Sequence, residues 1–157
     1  MSLFKSENVV TPNIVGVQDG SNATTGSVGE LVLSNIAIGS AVSLTTATAA
    51  NVTSISLTPG DWDVDGNVNY AAASATTATG ALWVSGINTT SATIPTDGTE
   101  VQTAATAITT TSFKEGITLA RKRISLTTTT TVYLVAEATF TAGTVTGYGH
   151  IHARRVR

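Results

Sequence analysis

Apolar and polar residues alternate along this chain with a period of two, and nowhere convincingly with the period of a helix. The clearest case is the segment from Trp62 to Tyr70. Trp62, Val64, Val68 and Tyr70 fall on one face, and Asp61, Asp63, Asp65, Asn67 and Asn69 on the other. Successive side chains of a strand point to opposite faces, so this alternation predicts an antiparallel strand with one face buried and one wet. Immediately before it, Thr58-Pro59-Gly60-Asp61 predicts a turn, with proline supplying a fixed φ and glycine a permissive one.

The same reading predicts strands over residues 29–38, 41–46, 51–57, 78–87, 106–113, 117–126, 131–140 and 145–156. Between them lie a loop over 88–100 containing Pro95 and Asp97-Gly98, and breaks at Gly116, Thr127–Thr131 and Ala142-Gly143. Residues 1–26 hold Pro12, Gly16, Gly20 and Gly26 and the polar run 19–26, with one short apolar piece, Ile14-Val15-Gly16-Val17. They predict an extended N-terminal arm that orders only against a partner, followed by a β-domain over 27–157. About eight to ten strands with regular turn signals allow an antiparallel β-sandwich or a closed barrel, and the sandwich is favoured. The absence of a fixed-period repeat argues against a propeller or β-helix.

Composition strengthens the all-β reading. Thirty-one of 157 residues are threonine, β-branched and polar, which suits a strand with one wet face and suits a helix poorly. Only 11% of residues are charged, little for a free monomer and easier to understand if other subunits cover much of the surface. A chain of this length buries a core without staples, and with no cysteine neither a disulfide nor a thiolate metal site can form. No apolar stretch approaches the roughly 18 residues of a membrane helix, and no signal-peptide pattern opens the chain, so a soluble product with no membrane partner is expected.

Charge is placed unevenly. Residues 1–113 carry one base and eight acids (1 − 8 = −7), and residues 114–157 carry seven bases and two acids (7 − 2 = +5). Either this polarity orients the protein on a partner, or strands of the two halves lie side by side and the charges mix.

Candidate chemistry is sparse. Asp61-x-Asp63-x-Asp65-Gly66 matches the first half of an EF-hand loop, but position twelve would be Ala72 and no helix flanks it, so a wet acidic strand face is the expected reading. His150, His152 and Arg154 share a face of the last strand with Tyr148, which could chelate a metal but reads first as a polar or inter-subunit face. No metal or other cofactor is expected. Arg121-Lys122-Arg123 and Arg154-Arg155-x-Arg157 could meet phosphate; Lys122 should point opposite to its neighbours, however, and eight aromatic residues are too few for a stacking platform. No nucleic-acid partner is expected. No nucleophile elbow, paired catalytic carboxylates or phosphate-binding loop is visible, so no enzyme is expected and no catalytic residue is assigned.

Several segments, taken in order, resemble a group of small structural proteins of tailed bacteriophages and prophages. They are Ala41-Val42-Ser43-Leu44-Thr45, Leu57–Val64 with Gly66-Asn67-Val68, Gly86–Thr93, Thr129–Ala136 with Ala138-Thr139-Phe140, and Tyr148-Gly149-x-Ile151-x-Ala153-Arg154-Arg155-Val156-Arg157. The resemblance covers roughly 27–157 and carries over no catalytic residues; Asp65 stands where the group has a small polar residue. It implies a homotrimeric virion component with a jelly-roll-like sandwich. Its partners would be its own copies and the major capsid protein or another virion protein. The expected role is a capsid decoration, or cement, protein on the outside of the virion, assembled in the host cytoplasm. A head or tail fibre or spike component is the alternative, with Trp83 a contact residue if exposed, although a core tryptophan is the expected reading; a carbohydrate-binding module is weighed third.

Overall fold

The computed structural model describes residues 17–72, 81–105 and 113–157. Among these are nine strands: β1 (Leu31–Ile36), β2 (Val42–Leu44), β3 (Ala50–Leu57), β4 (Gly60–Ala72), β5 (Ala81–Asn88), β6 (Val101–Ala105), β7 (Phe113–Leu126), β8 (Thr130–Thr139) and β9 (Val145–Arg155). A single 3-10 turn, Ile38–Ser40, separates β1 from β2. Both of those strands pair antiparallel with β9, at successive places along it, so they act as one interrupted strand.

The first sheet runs β1-β9-β4-β7, with β2 also on β9, and the second runs β3-β8-β5-β6. Counted this way, the pairs β1/β2–β9, β3–β8, β4–β7 and β5–β6 are nested, first strand with last and innermost with innermost. A long hairpin rolled into two facing sheets has this order, and it is the double Greek key of a jelly roll. The expected all-β antiparallel sandwich is therefore the fold.

The core follows from the alternation. Trp62, Val64, Val68 and Tyr70 of β4 face inward and are completely buried, opposite Leu57 of β3 and Val132, Leu134 and Ala136 of β8. Each such side chain taken from water contributes about 1.5–3 kcal/mol. Gly66 interrupts the inward row for a packing reason: a Cβ there would lie 2.8 Å from the His150 carbonyl oxygen and 3.3 Å from Leu134 Cδ1. Tyr70, Trp83 and Phe113 form a continuous stack, with ring centroids 5.1 and 5.8 Å apart. The Tyr70 hydroxyl donates 2.7 Å to the Val84 carbonyl and lies 2.7 Å from Ser85 Oγ, and burial pushes its phenol well above the ordinary range.

The loop from β5 to β6 folds back over the outer face of the second sheet. The Asn51 side chain holds it, accepting from Ala92 N at 2.7 Å and donating to Ser91 Oγ at 2.7 Å. Pro95 packs on Gly86 so closely that a Cβ at Gly86 would lie 2.3 Å from the proline ring. Val84, which lies two residues before Gly86 and faces outward from β5 by its register, is also buried.

Two expectations need correction. Gly116 does not end a strand: β7 runs through it from Phe113 to Leu126, with the Asn69 side chain lying over the glycine. β6 begins at Val101, where no strand is expected, while nearly all of the 106–113 segment lies outside the described residues. Residues 17–29 form neither helix nor strand but are held against β1, and residues 1–16 of the arm lie outside the described residues.

Candidate interaction surface

Chemistry-bearing side chains collect on the outer face of the first sheet, because inward positions are taken by the core. Cross-strand register sets the rows. His152 of β9 lies between Leu33 of β1 and Asp65 of β4, His150 between Asn35 and Asn67, and Arg154 between Leu31 and Asp63. The two imidazoles stack with centroids 4.5 Å apart, and His152 Nδ1 lies 3.9 Å from Asp65 Oδ1. The shared face of Tyr148, His150, His152 and Arg154 is thus present as expected.

The three aspartates of the calcium-like string lie along this extended strand, Asp61 and Asp63 turned to arginines and Asp65 to the His152 imidazole. Asp61 accepts from Arg123 at 2.7 Å and also from Ser125 and Arg157, which together hold its carboxyl far below the usual range; the Arg123 hydrogen bond is the largest cause. Asp63 meets Arg121 at 3.5 Å. The glycine of the string serves the β4–β9 approach described above. Among the described residues no three metal-ligating side chains converge.

The basic runs separate as alternation requires, with one addition. Arg121 and Arg123 are largely exposed on the outer face, whereas Lys122 turns away and donates 2.7 Å to Asp97 of the β5–β6 loop. A bulge sets this phase: Ala120 and Arg121 of β7 together oppose Asp65 alone on β4. Without it, the inward rows Ile117, Leu119 and Ile124, Leu126 would not both face the core.

Arg155 lies apart from Arg154 and Arg157 of its run, turned into the protein. It is 4% exposed and pairs at 2.9 Å with Glu30, itself 7% exposed at the side chain. Its guanidinium also donates to the Pro59 carbonyl at 2.7 Å and to Thr58 Oγ1, and its carbon lies 4.2 Å above the Trp62 ring. Glu30 accepts further from Gly26 N at 2.8 Å. A buried charge needs such partners. Sequence reasoning missed Glu30 because its partner is 125 residues away.

All six ion pairs of the described residues join an acid from the first 113 residues to a base or histidine from the last 44. The charge polarity along the chain is thus largely mixed in space. Trp83 is fully buried, so it is a core residue and not a surface contact.

A concavity of about 760 Å³ lies where residues 17–29 stand against the start of β1, lined by Val17, Asn22, Val28, Leu31 and Arg154 among others. The exposed leucines Leu31 and Leu33 lie at and beside it. No helix among the described residues is long and apolar enough to cross a membrane.

No family model matches the chain, and no curated protein matches it. Solved structures of infectious bursal disease virus are similar in general form. They include the VP2 subviral particle (TM-score 0.48, 12% identity), the T13 viral particle (0.47, 17%) and the Gx strain (0.43, 13%). Each match covers 90% of this chain, which spans only 35–37% of theirs. At TM-scores below 0.5 these are likenesses of outline, and nothing about the role of this chain follows from them.

Proposed function

We propose that the chain is a bacteriophage virion structural protein without catalytic activity: a trimeric capsid decoration protein that binds the outer shell and clamps neighbouring capsomers. The observation that carries a contact function is the filled interior. Both tryptophans and the Tyr70 ring are completely buried, and nearly all chemistry-bearing side chains lie on outer faces, where most neutralise one another. Among the described residues, such a surface offers shape, apolar corners and fixed charges to a partner rather than a water-excluded centre for a reaction. Jelly rolls also serve lectins and cupins, so the fold alone does not choose. The virion assignment draws on the ordered segments resembling small tailed-phage structural proteins.

Purified protein added to capsids that lack it tests this reading. Saturable binding in proportion to the capsid protein, with raised resistance of the particles to heat, is the expected result. Binding to host cells or glycans, with only a few copies per particle, would replace it with the fibre reading.

A further inference from the structure

Four of the large aliphatic side chains exposed by the described residues, Val17, Val28, Leu31 and Leu33, gather at one corner of the sandwich. Such a cluster marks a contact site more often than scattered exposed residues do. Arg154 stands beside it, opposite Leu31 in register. It is exposed and makes no ion pair among the described residues, whereas the other four arginines each have one. The wall of the groove is fixed: the Asn22 amide donates 2.7 Å to the Leu31 carbonyl and accepts 2.8 Å from the Leu31 N–H. That amide closes the edge of β1 to strand addition at this point. What remains open is a groove for an extended segment that carries aliphatic side chains and a carboxylate.

We propose that the occupant is the N-terminal segment of a second copy, with Glu7 of residues 1–16 against Arg154 and with Val9, on the same face of an extended chain, on the aliphatic floor. Sixteen residues precede Val17, which itself lines the groove, so the segment starts at the groove of its own subunit. Extended, it reaches about 50 Å from that point. Residues 1–16 hold one lysine, Lys5, and one carboxylate, Glu7, which lies two residues before Val9; Glu7 matches Arg154 and Val9 matches the aliphatic floor. Around a symmetry axis each subunit gives one arm and receives one, so weak contacts add through multivalency. This deepens the self-assembly part of the proposed function and rests on it.

Sedimentation of the full chain tests the proposal through Glu7→Arg, Arg154→Glu and the double exchange. The chain should be oligomeric, each single variant should weaken association roughly tenfold or more, and the double variant should recover it. A monomeric full chain, or two single variants of unchanged mass, overturns the proposal. Circular dichroism checks folding, and Arg154→Met replaces Arg154→Glu if the latter unfolds. Because the chain has no cysteine, Val9→Cys with Leu31→Cys separates exchange from self-docking: disulfide-linked oligomers are expected, and an intrachain bond in a monomer overturns the proposal. A monomer that still binds capsids would sink this inference alone; an oligomer that binds none would sink only the decoration reading.

Discussion

Arg155 ties three distant parts of the chain together: Glu30 before β1, the Thr58-Pro59 turn and the Trp62 ring. Removing one member of a buried ion pair leaves the other charge uncompensated, at a cost of about 3–5 kcal/mol. Glu30→Gln and Arg155→Met should each lower unfolding free energy by that order in urea titrations, and the combined replacement should cost less than the sum. An additive double variant would mean that the two side chains act independently. The two tryptophans, both fully buried, give a second check at this scale. Truncating Trp83 to alanine should cost about 3–5 kcal/mol through lost burial and a cavity in the aromatic stack. A near-neutral result in the same titration would place Trp83 at the surface.

Among the elements, β4 was legible because nine residues alternate with Gly66 as the one interruption of the apolar row, and its faces are those the pattern predicts. β7 was legible only in part. Its Gly116 reads as a break but is accommodated beneath Asn69, and its change of phase at Ala120-Arg121 is imposed by pairing with β4. β6 escaped notice because Val101–Ala105 is short and carries little apolar contrast. The ion pair joining β7 to the β5–β6 loop predicts a pH effect. Lys122, first, and then Thr99 lower the Asp97 carboxyl from an ordinary 3.8 to about 2. A folded value below the unfolded one means the stabilisation is complete above about pH 4 and fades as pH falls through about 2. Lys122→Met should therefore flatten the loss of thermal stability over that interval. An acid limb as steep as that of the parent chain would show that the pair contributes nothing.

At the scale of the whole molecule, threonine content and turn spacing indicated a sandwich, but nested strand pairing joins residues more than a hundred positions apart and left no local mark. The same distance hid the Glu30–Arg155 pair, while the outer-face row from Tyr148 to Arg154 could be read directly because it lies within one strand. The groove beside β1 was illegible for another reason: it is built by the irregular residues 17–29, whose hydrogen bonds to Leu31 follow no periodic pattern. What the described residues offer a partner is thus an outer face and an apolar corner over a filled core. The most direct test of the proposed virion role is quantitative mass spectrometry of virus particles purified from the source of the chain. The account predicts the chain in fixed proportion to the major capsid protein; its absence from the particles would contradict it.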